Sequence, residues 1–353
     1  MESRSSTVSP PSPPAGSSAS LEPISLVETR CVLCGSQSAE PVASGFDFEY
    51  ATVPDRFTFT RCRDCGHLYL NPRPSAADLS TIYPPDYYTF AGGGSALVAP
   101  FRRLWEARKV RLYHGLIGDG QRRVLDVGCA DGRFLELLRD HGSPEWELVG
   151  IDFDERAVAE CRRKGFMTYV SRMEDFEEGH GQFDAVIMLQ LIEHVEDPVR
   201  ICQRVHDLLR PGGFFIIETP NLGGLDYRVF RRTWWGHYHF PRHWNLFSTP
   251  ALQRMLEEQG LEVIRSEYLI STSSWIISLH NYFLERGWPG WWVRRFHFQN
   301  PLLLGLFVVL DSLRARLGLE TSNQRVIARR PSAGDPAGSS EGSAETSASV
   351  PTA

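Results

Sequence analysis

The chain has 353 residues, of which 42% are hydrophobic and 23% charged, and its formal net charge at pH 7 is −6. This apolar content is enough for one large domain and a smaller one, and it excludes a collagenous, a wholly disordered or a membrane-spanning protein. The acidic balance gives no electrostatic footprint for a polyanion, so we expect no nucleic-acid partner.

Composition divides the chain into four parts. Residues 1–24 and 332–353 are mainly Ser, Pro, Ala and Gly, and we predict that both are disordered tails. Residues 25–95 form a core-poor segment, and residues 96–331 form the larger domain. Because no apolar secretory stretch follows Met1, we expect a cytoplasmic protein with reduced cysteines.

The core-poor segment contains two Cys-x2-Cys pairs, Cys31 with Cys34 and Cys62 with Cys65, each followed by a glycine. The tight turn that directs backbone N–H groups at the sulfurs needs a positive φ, which glycine tolerates. Four thiolates at this spacing predict a tetrahedral structural Zn²⁺ site that would stabilise residues 25–95 as a zinc-binding cap. His67 is not expected to be a ligand. A redox dithiol pair and unliganded cysteines are the alternatives.

From residue 122 onward, short β-rich runs alternate with segments of helical period, which is typical of an α/β fold with a parallel sheet between helices. Helices are predicted at 132–141, from Asp154 to Gly165, from Asp197 to Pro211-Gly212-Gly213 and from Thr249 to Gly260. An aromatic-rich helical insertion at 271–322 precedes the last strand. The seven predicted strands are 123–127, 148–152, 166–170, 183–189, 214–218, 261–269 and 324–330.

The first predicted strand continues into a small-residue turn that opens a helix, over residues 124–132. Gly128, Ala130 and Gly132 leave room for a ligand against the backbone, and N–H groups at the helix start attract a carboxylate. The next strand ends at Asp152, where an acidic side chain can accept both ribose hydroxyls. Together these features predict a nucleoside-binding site.

Two classes of ligand compete for this loop. A dinucleotide would place its pyrophosphate near Asp126 and Asp131, whose charges repel it. S-adenosylmethionine carries no phosphate, and its amino group and sulfonium are positive, so the acidic residues favour it. S-adenosylmethionine is thus the preferred ligand, and an NAD-dependent oxidoreductase is the alternative hypothesis.

Over roughly residues 100–330 the sequence resembles the class I S-adenosylmethionine-dependent methyltransferases. This resemblance implies a Rossmann-like seven-stranded sheet, S-adenosylmethionine as cosubstrate and a small-molecule methyl acceptor. The family's middle glycine is Ala130 here, a small residue that we expect to fit. The matching motifs are Leu125-Asp-Val-Gly-Cys-Ala-Asp-Gly132, Val149-Gly-Ile-Asp152, Phe183-Asp-Ala-Val-Ile-Met-Leu-Gln-Leu-Ile-Glu-His-Val-Glu-Asp-Pro198, Leu209-Arg-Pro-Gly-Gly-Phe214 and Arg242-His-Trp-Asn-Leu-Phe-Ser248.

By the same resemblance, Gly128 and Gly132 contact the methionyl part, Asp152 the ribose hydroxyls, and Met173 to Asp175 the adenine edge. Gln190 is expected near the transferred methyl group. An ordinary solvated acidic turn is the alternative at 174–175. The implied cofactor-binding residues are Asp126, Gly128, Ala130, Gly132, Asp152, Met173, Glu174 and Gln190.

The cysteine pairs, followed by the motifs at 65–74 and 83–88, look like the subgroup in which a zinc-binding segment precedes the methyltransferase domain. Some members of that subgroup are sugar C-methyltransferases in which the zinc segment helps to cover the substrate. This similarity implies that Tyr87 or Tyr88 faces the site, with core packing as the alternative.

The acceptor is expected over the carboxyl ends of strands four and five. Glu193-His194 follows strand four, and the 27 residues 221–247 follow strand five and are predicted to be a lid. We predict His243 as the general base, with His194 and Gln190 as further catalytic candidates. Structural roles in a Trp-rich cluster are the alternative for the histidines. Glu193-His194 also resembles a divalent-metal site of some quinone-biosynthesis methyltransferases.

Residues 271–320 place tryptophans and arginines beside apolar helices, which is typical of an interfacial membrane segment or a homodimer surface. Internal packing is the alternative. We therefore expect a cytoplasmic enzyme that can lie at the membrane surface. The sequence does not identify the acceptor as a sugar, a quinone-like compound or a lipid-linked metabolite. A non-catalytic S-adenosylmethionine-binding or scaffold protein is the alternative to an enzyme.

Overall fold

The computed structural model describes residues 23–83, 99–297 and 300–332. Most of the two predicted tails and both Tyr87 and Tyr88 lie outside these residues. The strands of the described residues are, in chain order, β1 (Leu26–Val27), β2 (Ala39–Gly45), β3 (Phe57–Cys62), β4 (Leu68–Leu70), β5 (Arg73–Pro74), β6 (Arg123–Val127), β7 (Glu147–Asp152), β8 (Met167–Val170), β9 (Phe183–Leu189), β10 (Leu209–Pro220), β11 (Asn245–Leu246), β12 (Glu262–Leu269) and β13 (Asn323–Arg329). The α-helices are α1 (Leu79–Ile82), α2 (Ala99–Ile117), α3 (Arg133–His141), α4 (Glu155–Arg163), α5 (Pro198–Leu208), α6 (Leu225–Phe230), α7 (Thr249–Glu258), α8 (Thr272–Glu285), α9 (Gly290–Val293) and α10 (Pro301–Arg316).

A seven-stranded sheet in the order β12-β13-β10-β9-β6-β7-β8 confirms the predicted Rossmann-like fold. The pairs from β10 across to β8 are parallel, and β13 runs antiparallel to both of its neighbours. The predicted strands 123–127 and 183–189 match β6 and β9. Since successive side chains of a strand point to opposite faces, Val124 and Leu125 belong to two different buried clusters, one shared with α2 and α3 and the other with α5 and α7.

One predicted boundary is wrong. The helix that starts at Pro198, capped by the Asp197 side chain, was expected to continue to the Pro211-Gly212-Gly213 turn. It ends at Leu208 because Leu209 already pairs with Phe183 as the first residue of β10. The predicted strand 214–218 is therefore only the central part of a longer strand, which contains a register shift between residues 209 and 214.

The second sheet joins the N-terminal segment to the larger domain. Its order is β11-β4-β3-β2, and β11 comes from the segment after β10. That segment, predicted as a lid, contains α6 and a 3-10 turn at Gly236–Tyr238, and most of its large side chains are buried. A structured, buried segment replaces the expected loop because residues 39–70 supply the apolar surface on which it packs.

The insertion between β12 and β13 consists of α8, α9 and α10. Phe307 of α10 stacks on Trp275 of α8 with ring centroids 5.2 Å apart. The buried Asp311 carboxylate accepts hydrogen bonds from the Trp275 indole at 3.1 Å and from the Ser271 backbone at 2.9 Å. Within the described residues, no helix has both the length and the apolar character needed to cross a bilayer.

Candidate active site

A cleft lies at the carboxyl ends of β6, β7 and β9, where parallel strands bring their following loops together. It holds about 920 Å³ of empty space, part of it open to solvent. One side, which we call the nucleoside wall, is lined by Gly128, Ile151, Asp152, Phe153, Met173 and Glu174. The other side, the histidine wall, is lined by Leu79, Tyr83, Gln190, Leu191, His194, Val195 and Trp244.

Asp152 holds the nucleoside wall in shape from the end of β7. Its two carboxylate oxygens accept hydrogen bonds from the backbone N–H groups of Ala130 at 3.0 Å and Asp154 at 2.9 Å. Each carboxylate oxygen has a second lone pair, so the group can still accept from the two hydroxyls of a ribose. Burial raises the pKa of this carboxyl above its ordinary value.

Asp126 lies beneath the same loop at the end of β6 and is almost completely buried. Its Oδ2 atom has no hydrogen-bond partner among the described residues. Burial, followed by the charge of Asp152, raises the pKa of Asp126 to about 7. Two neighbouring carboxyls with little local compensation favour a cationic ligand such as the amino group or sulfonium of S-adenosylmethionine, and they disfavour a pyrophosphate.

The loop between β6 and α3 adopts left-handed backbone conformations at three alternate residues. Gly128 and Gly132 have φ values of +78° and +83°, which glycine adopts without strain. Ala130 has a φ of +46° and carries the strain of a non-glycine residue in this region. Gln190, across the cleft, also has a positive φ of +52°. Strained residues of this kind cluster at functional sites.

The turn predicted to contact the adenine edge is a 3-10 helix at Met173–Asp175. Met173 is buried, and Glu174 lines the cleft while its Oε1 accepts from the Arg172 guanidinium at 3.0 Å. The Glu174 side chain is 13% exposed, so the alternative of a solvated acidic turn does not describe it. Asp175 is exposed.

His194 is the histidine of the histidine wall. Its Nδ1 lies 3.1 Å from the backbone oxygen of Arg242 and 2.8 Å from the Tyr83 hydroxyl oxygen. The role of Nδ1 depends on the tautomer: with the hydrogen on Nδ1 the ring donates to the Arg242 carbonyl and Nε2 has the lone pair, whereas in the other tautomer Nδ1 accepts from the Tyr83 hydroxyl. Burial, and after it the charge of His239, lowers the pKa of His194 to about 3, so the ring is neutral at physiological pH.

His243 lies behind His194, with ring centroids 4.6 Å apart, and is not among the described residues that line the cleft. Its Nδ1 donates to the backbone oxygen of His237 at 2.7 Å, and its Nε2 lies 4.0 Å from Glu193 Oε1. Burial raises the pKa of Glu193 to about 8, so this carboxyl keeps its proton at neutral pH. The Thr219 hydroxyl donates to its other oxygen at 2.8 Å.

Glu193, His194 and His243 also form a set that could hold a metal, with one ligand atom from each within 4.8 Å of the others. Only the first two were predicted as metal ligands from the sequence. The other two histidines of the segment have structural partners: His237 contacts the Ser271 hydroxyl at 2.9 Å, and His239 contacts Glu49 at 2.6 Å.

The four predicted zinc ligands come together near the end of β3, whose last residue is Cys62. The sulfurs of Cys31 and Cys65 lie 3.4 Å apart, those of Cys34 and Cys62 lie 3.5 Å apart, and all four are within 4.8 Å of one another. The glycines after each pair have φ values of +72° and +77°, as the turn requires. Burial opposes the Cys62 thiolate, but backbone N–H groups of residues 64 and 65 outweigh it and lower the pKa of Cys62 to about 7. His67 instead bonds to the Asn245 side chain at 3.0 Å.

Backbone hydrogen bonds connect this segment directly to the histidine wall. The N–H of Leu70 in β4 donates to the oxygen of Trp244 at 2.9 Å, and the N–H of Trp244 donates to the oxygen of Glu193 at 2.7 Å. The buried Arg242 guanidinium binds both oxygens of Asp47, at 3.0 and 2.9 Å. The cysteine segment therefore fixes the position of the residues around His194.

Sequence reasoning missed Tyr83, Trp244 and Asp47. Tyr83 belongs to the motif at 83–88, of which only the last two tyrosines were predicted to face the site. Asp47 and Arg242 are 195 positions apart, and no local pattern could have paired them.

The chain matches the model of a family described as "Methyltransferase domain" over residues 99–266. It is 31% identical over 171 residues to the ubiquinone biosynthesis O-methyltransferase of Ruegeria pomeroyi, covering 43% of this chain and 65% of the relative. The protein of the same name from Pseudomonas aeruginosa is 32% identical over 114 residues, 30% of this chain and 47% of the relative.

The chain thus spans about half to two thirds of the length of these relatives. A similar solved structure is a SAM-dependent methyltransferase from Archaeoglobus fulgidus, with 20% identity, a TM-score of 0.43 and coverage of 69% of this chain and 100% of that one. The family match over residues 99–266 identifies a methyltransferase domain in this chain, and the seven-stranded sheet with its cleft at the carboxyl edge supports the resemblance to the class I S-adenosylmethionine-dependent methyltransferases.

Proposed function

We propose that this protein transfers a methyl group from S-adenosylmethionine to a small molecule held against the histidine wall. The observation that carries the proposal is a single cleft in which Gly128 and Asp152 line one side and Gln190 and His194 line the other. S-adenosylmethionine supplies a methyl group on a positive sulfur. The protein has to align the two reactants, exclude water and accept a proton from the acceptor.

The lining of the histidine wall supports an acceptor with an apolar ring and an acidic hydroxyl, as in a quinone precursor. Leu79, Leu191, Val195 and Trp244 give it a mainly apolar surface. A sugar would need several more hydrogen-bond partners than this wall provides. The names of the matched relatives, O-methyltransferases of ubiquinone biosynthesis, agree with this acceptor class.

His194 is the proposed general base. His194 lines the cleft, and in the tautomer whose Nδ1 hydrogen is directed at the Arg242 carbonyl its Nε2 has the lone pair that accepts a proton. That carbonyl also stabilises the imidazolium that forms when Nε2 takes the acceptor's proton. Among the described residues His243 does not line the cleft, and its ring packs against that of His194, so its role in the proposal is to position His194. The sequence-based assignment of the base to His243 stays a prediction that turnover measurements can decide.

The four-cysteine cluster is proposed to hold one structural Zn²⁺. A tetrahedral site with Zn–S bonds of about 2.3 Å places the sulfurs about 3.8 Å apart, close to the spacing of the cluster. Two of the sulfur pairs are 3.4 and 3.5 Å apart, too far for disulfides, and the structure shows all four cysteines as free thiols. The metal would hold β3 and β4 in the position from which β4 supports Trp244.

The proposal is tested by incubating the purified full chain with methyl-labelled S-adenosylmethionine and three acceptors: a catechol bearing an apolar tail, a nucleotide-linked deoxysugar and an aliphatic amine. We expect formation of S-adenosylhomocysteine and label on the catechol oxygen. Label on the sugar alone would contradict the acceptor class. Tight binding of S-adenosylhomocysteine without transfer to any of the three would favour the non-catalytic alternative.

A further inference from the structure

The outer face of α10 is apolar, and none of the residues that the structure describes covers it. Five aliphatic side chains recur along it at intervals of three or four residues, which at about 100° per residue forms one continuous stripe. They rank among the most exposed large hydrophobic side chains of the described residues. They are Leu302 (82% exposed), Leu306 (59%), Val309 (58%), Leu313 (53%) and Leu317 (74%).

The opposite face of α10 is already packed. Phe307 stacks on Trp275, and the Asp311 carboxylate accepts from the Trp275 indole and the Ser271 backbone. These contacts fix the rotation of the helix, so the exposed stripe is a stable feature of the surface. A helix that is apolar on all sides is normally buried, and an uncovered apolar stripe of this length indicates a partner.

The charge around this face is positive, although the chain as a whole carries −6. Residues 286–317 contain one acidic residue, Asp311, which is buried and hydrogen bonded. Of the flanking acids, Glu285 accepts from the Trp234 indole and Glu320 from the Tyr268 hydroxyl. The same stretch contains five arginines: Arg286, Arg294, Arg295, Arg314 and Arg316.

Exposed tryptophans lie just before α10. Trp288 and Trp291 are 46% and 58% exposed, and the Arg295 guanidinium lies 5.2 Å from the centre of the Trp291 ring. Arg316 lies beside the stripe, seven residues after Val309 and therefore about 20° from it around the helix. Leucines flanked by tryptophan and arginine match the composition of helices that lie in a bilayer interface.

We propose that the outer face of α10, together with Trp288 and Trp291, docks on an anionic lipid bilayer. A second copy of the chain is the less suitable occupant, because a two-fold interface would bring this positive face against itself. An anionic lipid surface instead attracts the arginines while the acyl region takes up the leucines. This inference does not depend on the methyl acceptor or on the identity of the base.

The test is co-sedimentation of the full chain with phosphatidylcholine vesicles made with and without phosphatidylglycerol. The variant Leu306→Glu/Leu313→Glu places two charges in the stripe, and Arg294→Glu/Arg316→Glu reverses two of the basic residues. The matched control is Met167→Glu, because Met167 is 48% exposed on β8 at the opposite edge of the seven-stranded sheet. All substituted side chains are exposed, and thermal unfolding verifies that each variant folds.

We expect the wild type to bind vesicles that contain phosphatidylglycerol and to be released by high salt. The leucine variant should bind vesicles at least about 100-fold more weakly than the wild type. The arginine variant should bind about tenfold more weakly, and only the vesicles that contain phosphatidylglycerol should show this difference. The control variant should bind as the wild type does. Three results would overturn the proposal. The wild type could stay in the supernatant, the leucine variant could bind as the wild type does, or the wild type could form a dimer that the leucine variant dissociates, without vesicle binding.

Discussion

The two walls of the cleft are built in different ways. The nucleoside wall comes from one stretch of chain, residues 124–175, in which strand ends and following loops hydrogen bond to their sheet neighbours. The histidine wall combines Tyr83, His194 and Trp244, three residues from distant parts of the chain. The comparison indicates that the first wall depends on the seven-stranded sheet alone, whereas the second depends on the N-terminal segment. Disruption of that segment should therefore impair catalysis before it impairs cofactor binding.

The largest effect is expected from loss of the metal. Purified protein should contain one zinc per chain, and Cys62→Ser should lose it together with free energy on the order of 10 kcal/mol of metal binding. Residues 30–75 should then become protease-sensitive while S-adenosylhomocysteine still binds. Metal analysis and limited proteolysis measure both effects, with Cys202→Ala, a buried core cysteine, as the control. Full zinc in Cys62→Ser would place the metal elsewhere.

The second largest effect is expected on turnover, from substitutions at the histidine wall. His194→Asn should lower the rate of methyl transfer about 10²–10⁴-fold, the usual cost of losing a general base. His243→Asn should have a smaller effect, since its ring only supports that of His194. Initial rates on the identified acceptor compare the two variants. A larger loss in His243→Asn would assign the base to His243.

The buried ion pair that joins the N-terminal segment to the histidine wall gives a test through stability. Both side chains of the Asp47–Arg242 pair are 0% exposed, and the Arg242 guanidinium overcomes burial to lower the pKa of Asp47. Asp47→Ala leaves an uncompensated buried cation and should reduce the free energy of unfolding by about 3–5 kcal/mol. Denaturant titration compares it with Glu40→Ala, which breaks the exposed pair with Arg63 and should cost less than about 1 kcal/mol. Equal losses in the two variants would contradict this role of the pair.

The last effect is a pH dependence of stability from Glu193. Its pKa in the folded protein is about 8, above the ordinary value of 4.5, so the folded state binds more protons than the unfolded state between these values. This contribution to stability is fully present below the ordinary pKa and is lost as the pH rises through about 8. Glu193→Gln can keep the hydrogen bond from Thr219 and should flatten the decline in unfolding free energy over this range. An unchanged pH profile would show that Glu193 titrates normally.

Features that depend only on residues close together in the chain could be predicted from the sequence. The strands β6 and β7, the positive φ of the glycines after each cysteine pair and the position of Asp152 follow from patterns a few residues long. Segment 221–247 was predicted to be a lid. The strands that bury it lie more than 150 positions earlier in the chain, so no local pattern could show that it is buried. The pairing of Asp47 with Arg242 and the approach of Tyr83 to His194 have the same long-range origin. For α10, composition indicated an interfacial helix, but only the contacts of Phe307 and Asp311 show which face is left open.

The most direct test of the account is a calorimetric titration with S-adenosylhomocysteine of three proteins: the wild type, Asp152→Ala and His194→Asn. The wild type should bind, and Asp152→Ala should bind about tenfold to a hundredfold more weakly, because hydrogen bonds from two hydroxyls to a charged group are lost. His194→Asn should bind within a factor of a few of the wild type, since its side chain belongs to the other wall. Absence of binding by the wild type, equal affinity in Asp152→Ala, or an equal loss in both variants would contradict the division of the cleft into a cofactor side and an acceptor side.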